Sequence, residues 1–344
     1  MAKLLLLNRQ YRIMGRKGLL VCLMLALSTA CFSESRFVQR KFVQKILRAD
    51  SILTAHYRNP NIDTAYVARP QTRWTIAGRF NVAGAKLKVE GIEQGNHFNS
   101  ELKADYKSTL ALYVKYLGFS VSLSLNPAKL AGKYSDYELG FVYYGRQYGF
   151  DLIYQDAKNY TGFHQHEGYE RVELPADMFK MKTFNISGYY IFNHKRFSYP
   201  AAMTQGYIQK RSAGSFMLAL SGQGQHGKLK GDYGIDLRLT NIGVGGGYGY
   251  NFVPARRWML HISALPTFIV YSHTSLTFND SKIPLRYHFP EVIITGRGAI
   301  VYQVKKNQYA ALSGVYYFTD IGSKKRLNIE NEKWRARLTY GFRF

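Results

Sequence analysis

The residues in this sequence best equipped for chemistry are its arginines. Arg335, Arg337 and Arg343 occupy odd positions in the final stretch, where the even positions Trp334, Ala336, Leu338, Tyr340, Phe342 and Phe344 are mostly apolar. A guanidinium is always charged and presents a planar fork of donors, which suits carboxylate and phosphate oxygens. The same parity places Arg73, Arg79, Lys115 and Arg297 on the polar face of their own segments. Only Glu138, Asp151 and Glu291 stand on that face to oppose them. Buried charges are costly unless they are paired or wet. Two interiors satisfy that rule. One is a hydrated space that prefers anions; the other is a plugged space in which the arginines bond to carbonyls, acids and folded-in loops.

Other reactive residue types carry less. His164, His166, Glu167 and Glu170 cluster in one segment, and imidazole suits zinc or copper, but a site needs three or four converging ligands. A solvated loop is the plainer reading, with His164 and His166 as weak metal candidates. No Gly-x-Ser-x-Gly occurs. Ser215, within Ser212-Ala-Gly-Ser, has no informative His or Asp beside it in sequence. His261 and His273 fall on inward positions and read as polar groups in a wet interior. The expectation is a protein that is not an enzyme and carries no cofactor.

Positioning these side chains is the task of strands. Alternation over about ten residues recurs along the chain, and only a strand puts i and i+2 on one side. Ile242, Val244, Tyr248, Tyr250 and Phe252 oppose Asn241, Gly243, Gly245, Gly247, Gly249 and Asn251. Phe119, Val121, Leu123 and Leu125 oppose Ser120, Ser122, Ser124 and Asn126. Charges cannot face lipid cheaply, so the apolar parity faces outward. The segments 73–82, 107–116, 119–126, 135–145, 147–156, 182–193, 212–222, 240–252, 257–273, 290–304, 307–320 and 334–344 read as strands. Their length suits a tilted crossing of a bilayer. The expected fold is therefore all-β, a transmembrane antiparallel up-and-down barrel of about twelve strands, spanning 73–344. Short turns alternate with long links at 83–106, 127–134, 157–181, 223–239, 274–289 and 321–333. Residues 194–211 break the rule: they read as a folded or lumenal element, or else as another strand pair, making fourteen.

Composition agrees with this picture. The 344 residues include 28 Tyr, 21 Phe and 31 Gly but only nine Pro. The mean hydropathy of −0.25 is compatible with a barrel, whose strands show lipid at alternate positions only. Residues 1–30 read as an export signal, with Arg9, Arg12, Arg16 and Lys17 before the apolar run Leu19–Leu27 and small residues to Ala30. Cys31 stands at the cleavage point and is a weak lipidation candidate. Residues 31–72 read as a periplasmic leader, with an amphipathic helix, plug or solvated chain all open for 34–72. Residues 1–30 hold five of the 47 Lys and Arg and none of the 22 acids, leaving 42 basic against 22 acidic residues, or +20. Nucleic-acid binding is the usual soluble reading of such an excess, and the export signal argues against it. The excess fits lipopolysaccharide phosphates outside or an anion-favouring lumen.

The motifs Asp63-Thr-Ala-Tyr66, Phe197-Ser-Tyr-Pro-Ala-Ala, Ser212-Ala-Gly-Ser-Phe216, Gly243-Val-Gly-Gly-Gly-Tyr-Gly-Tyr250 and the terminal Phe344 occur in this order. Together they resemble a family of outer-membrane barrels from Gram-negative gut and oral bacteria, catalogued only as a domain of unknown function. The resemblance implies a barrel in the outer membrane and no activity. Phe344, with Phe342 and Tyr340, looks like the signal read by the barrel-assembly machinery. The functional expectation is a passive channel or binding barrel for small anionic solutes. The alternatives are a plugged structural, adhesion or assembly barrel acting through outer loops and, behind it, an outer-membrane lipid-modifying enzyme.

Overall fold

The computed structural model describes residues 61–93, 95–116, 119–127, 137–229, 235–278, 281–284, 290–323 and 327–344. The export signal, Cys31 and leader residues 34–60 lie outside the described residues. All twelve expected strands are present. They are β2 (Trp74–Glu93), β3 (Asn96–Tyr116), β4 (Phe119–Leu125), β5 (Tyr137–Tyr144), β6 (Tyr148–His166), β7 (Val172–Ile191), β9 (Ala213–Leu229), β10 (Ile235–Ala255), β11 (Trp258–Phe278), β13 (Val292–Lys305), β14 (Gln308–Ser323) and β15 (Leu327–Arg343). A short β12 (Ser281–Pro284) extends β11, giving a 13-stranded antiparallel sheet. β1 (Val67–Ala68) and β8 (Ile208–Gln209) form a separate pair, and α1 (Tyr199–Met203) lies between β7 and β8.

The sheet closes into a ring at one end of its height and carries two edge strands at the other. β2 pairs with β15, and the order runs on through β14, β13, β11, β10, β9 and β7 to β6. At the hairpin end, Phe98–Ala104 of β3 pairs directly with Tyr160–His166 of β6 and closes the ring. Toward the terminal end, β4 occupies the edge of β3 and β5 the edge of β6. Ten strands thus close the hairpin end, and among the described residues β4 and β5 are the edge strands of the terminal end.

The links expected at 83–106, 157–181, 223–239 and 321–333 are largely strand, a correction with a clear cause. Within the lower part of the wall the apolar parity faces out: Phe184, Ile186, Leu218, Leu220, Ile242, Val244 and Leu338 are exposed. Higher up the parity inverts. Leu87, Leu102, Met181, Leu237, Leu239 and Ile329 are buried inside, while Lys86, Lys88, Glu101, Lys103, Lys182 and Arg238 lie on the outer parity. The lower storey is a membrane wall; the upper storey is a water-facing barrel with its own apolar core. Residues 334–344 mark the lower storey on β15. Ten steps of about 3.4 Å tilted by about 40° rise roughly 26 Å, close to the apolar height of such barrels. Trp334 packs at a tilt against Tyr106 at its upper border (5.8 Å), and Trp74 against Tyr116 at its lower one (4.4 Å). So many exposed apolar side chains in one belt demand a nonaqueous neighbour. The fold is a transmembrane β-barrel.

Candidate functional site

Residues 194–211, the segment that broke the pattern of turns, fold into the lower lumen. Ser198 caps α1 by accepting a bond from the Ala201 amide (3.3 Å), Pro200 sits in the first turn, and all five helix residues are buried. Phe197 and Tyr199 are wholly buried and pack with Tyr189, Met217, Met259 and Tyr309 of the wall. Gly249 makes room for this: a Cβ there would lie 3.0 Å from the Phe197 ring.

Polar brackets fix the plug. Asn251 donates to the Ser198 carbonyl and to Gln209 Oε1, both at 2.9 Å. Gln209 Oε1 also accepts the Ser198 amide, and its Nε2 donates to the carbonyls of Arg196 and Arg211. Asn251 Oδ1 accepts from His261 Nδ1 (2.7 Å), which leaves His261 Nε2 to accept from Ser263 (3.1 Å). The leader joins in: β1 pairs with β8, Arg196 meets Asp63 at 3.0 Å, and Lys210 donates to the Thr64 carbonyl (2.6 Å). Burial and the neighbouring Arg146 hold the His194 imidazole, at the mouth of this loop, below its ordinary range.

Above the plug, Arg297 of β13 meets Asp151 of β6 at 2.8 Å, both side chains almost fully buried. These strands are far apart in the sheet order, so the ion pair bridges the lumen. Arg297 stands 5.9 Å from the Tyr199 ring of the plug.

The remaining cations line one wall. Arg343, Thr75 and Lys115 fall on one register row of β15, β2 and β3; Thr339, Arg79 and Ala111 on another; Arg337, Asn81 and Thr109 on the next; Arg335 and Ala83 beyond that. Successive inward rows rise about 7 Å along the strand. None of these inward residues is a carboxylate. Arg79 is 7% exposed, and its guanidinium carbon lies 3.4 Å from the Tyr113 ring centroid. Its Nε and Nη2 have no hydrogen-bond partner among the described residues. Arg337 donates to Asn81 (2.7 Å). Arg343 donates to Gln303 (2.9 Å) and to the plug carbonyl of Gln205 (3.2 Å). A side chain at Gly206 would run into Lys115 Nζ, so Lys115 and Arg343 converge on one corner of the plug. Beside them Ser120, Ser122 and Ser124 of β4 pair in register with Lys115, Tyr113 and Ala111. These serines share the inward face yet are exposed. A row of accessible hydroxyls on β4 therefore adjoins the cations of β3.

Of the expected interior cations, Arg79, Lys115, Arg297, Arg335, Arg337 and Arg343 take inward positions. Arg73 does not join them: it precedes β2 and is exposed at the rim. His261 faces inward as a buried bracket rather than a wet group. His273 is exposed instead, because a register shift between the Ile242–Tyr271 and Gly243–Ile269 pairs reverses the parity of upper β11. His164 and His166 end β6 rather than lying in a loop. His164 Nδ1 bonds Ser100 Oγ (2.7 Å), and His166 contacts the Glu167 carbonyl. Among the described residues no three His, Cys, Asp or Glu side chains converge for a metal. Ser215 has a structural role: it accepts the Asn193 amide (2.8 Å) and donates to the Phe216 carbonyl (2.7 Å). Tyr340, Phe342 and Phe344 are exposed on the outer face of the last strand. The sequence reading missed the lumen-bridging Arg297–Asp151 pair, since parity shows direction but not which opposite wall a side chain reaches. It had the β4 serines as inward residues but no sign that they stay wet.

Residues 61–344 match the family described as a domain of unknown function (DUF4421), and the chain belongs to that family. Among solved structures, it is similar to the outer membrane protease OmpT from Escherichia coli, at 9% identity and TM-score 0.45, covering 80% of this chain and 97% of that one. It is also similar to the transport unit of the autotransporter AIDA-I from Escherichia coli, at 12% identity and TM-score 0.34, covering 80% and 91%. The toluene transporter TodX from P. putida aligns at 9% identity and TM-score 0.25, covering 79% and 90%. The comparison with curated proteins finds no match.

Proposed function

We propose that this protein is an outer-membrane barrel that binds a small anion in its interior and, with its plug seated, does not conduct. The observation that carries the reading is Arg79: a buried guanidinium with two nitrogens unbonded, on a carboxylate-free wall that also holds Lys115, Arg337 and Arg343. A buried charge with unfilled donors is costly, and an oxyanion between Arg79, Lys115 and the β4 serines relieves that cost. Fork-shaped donors favour a carboxylate or phosphate over a spherical halide. The exposed serine face supplies access. The Arg297–Asp151 bridge and the seated α1 argue against free flow past the site.

The test is equilibrium unfolding of the folded barrel in detergent micelles, with inorganic phosphate replacing chloride at constant ionic strength. Binding to the folded state alone stabilises it by about 2.7 kcal/mol at a hundredfold excess over Kd. The wild type gains such an increment, and Arg79→Gln loses most of it. An unchanged wild-type midpoint would refute the anion site and favour the second reading, a plugged barrel acting only through its outer surface.

A further inference from the structure

We propose that the outer face of β7, β9 and β10 is a binding site for the phosphorylated glycolipid headgroups of the outer leaflet. The register aligns Lys182, His226 and Arg238 across these three strands, with Lys180, Lys228 and Asp236 in the next row up. Neighbouring strands are about 4.8 Å apart, so both rows fall within a patch roughly 10 Å across. Their height matters as much as their charge. The rows beneath carry Phe184, Ile186, Leu220, Ile242 and Val244 on the same outer face, all exposed to lipid. Lys182 is the first outward residue above Phe184 on its strand, and Arg238 the second above Ile242. With the chain termini on the periplasmic side, this is the level of lipid phosphates in the outer leaflet.

The charge is unbalanced here and balanced elsewhere. Asp236 serves His226, Lys228 and Arg238 together, at 3.1, 3.4 and 3.2 Å, and holds them side by side. Asp156 pairs in register with Lys182 on the flank. Two carboxylates thus face four Lys and Arg and one His. At the same height on β2, β3 and β15, Lys86, Lys88 and Lys103 meet Glu90, Glu101, Glu330 and Glu332, an acidic balance. Lys228 and Arg238 are well exposed, so their ammonium and guanidinium groups remain available to a phosphate beside the barrel. Cations at the membrane surface are attracted to anionic headgroups, and a cluster aligned by the sheet makes that attraction local to one sector.

The experiment uses the full-length folded barrel in a neutral detergent and measures capture of purified bisphosphorylated lipid A by native mass spectrometry. The wild type retains lipid A and prefers it at least tenfold over its dephosphorylated form. The triple variant Lys182→Glu, Lys228→Glu, Arg238→Glu loses that preference, while Lys86→Glu, Lys88→Glu, Lys103→Glu keeps it. Heat-modifiable migration on a gel shows that each variant is folded. If the first triple variant fails that check, Lys182→Gln with Arg238→Gln takes its place and lowers retention at least threefold. Equal binding of the two lipid forms by the wild type would overturn the proposal. So would full retention by the β7–β9–β10 variant, or displacement of lipid A by an equal concentration of inorganic phosphate.

Discussion

At the scale of single residues, the interior contrasts an arginine that is matched with one that is not. Arg297 has Asp151 across the lumen, and removing one partner of a buried pair costs about 3–5 kcal/mol because the other charge is stranded. Arg297→Ala should therefore lower the urea stability of the refolded barrel by that order, and Asp151→Ala by a similar amount. A loss below 1 kcal/mol would mean that the two charges remain hydrated. Arg79 has an aromatic face but no acid, so Arg79→Gln should cost far less in chloride and act mainly on the phosphate-dependent increment. The direction of these side chains was legible in the sequence, because three arginines cannot alternate with Trp334, Leu338 and Tyr340 on any lipid-facing strand. Their partners were not legible. Asp151 and Arg297 are 146 positions apart, and nothing local links them. His273 shows the limit of parity itself, since one irregularity in β11 reverses every direction above it.

At the scale of elements, the twelve wall segments were readable wherever lipid imposes apolar-out alternation. The upper halves of the same strands were not. There Leu87 faces in while Lys86 and Lys88 face out, the reverse pattern, and polar outward residues read as loop. Direct pairing of β3 with β6 was hidden for a related reason, because β4 and β5 intervene in sequence. Cysteines at Ser100 and His164, register partners in that pairing, should form a disulfide under mild oxidation. Cysteines at Ser100 and Gly162 should not, because those positions are out of register, and the reverse result would contradict the upper closure. The plug was anticipated as a folded or lumenal element, with another strand pair as the alternative, because residues 194–211 are too long for a turn. Its brackets converge on Asn251, so Asn251→Leu strands Ser198, Gln209 and His261 together. A buried polar group left without its partner costs about 1–3 kcal/mol. The variant should open residues 194–211 to added protease while the barrel wall stays resistant. A plug as resistant as that of the wild type would mean packing by Phe197 and Tyr199 suffices.

At the scale of the whole molecule, the barrel is two storeys with opposite polarity, each with a packed cluster of buried side chains inside. Apolar side chains of Leu237, Leu239, Ile269 and Ile293 fill the upper storey. The plug and the Arg297–Asp151 bridge occupy the lower, and the exposed serines of β4 lie beside the cations of β3. The basic composition pointed to an anion-favouring interior but could not distinguish an open lumen from a filled one, because both satisfy the same charge count. That distinction is the centre of the account, and single-channel recording in a planar bilayer with a salt gradient reads it directly. The intact barrel should give no steady openings. Replacing residues 199–206 by a short Gly-Ser turn together with Arg297→Ala should give openings whose reversal potential favours the anion. Steady conductance by the intact protein would contradict a seated plug.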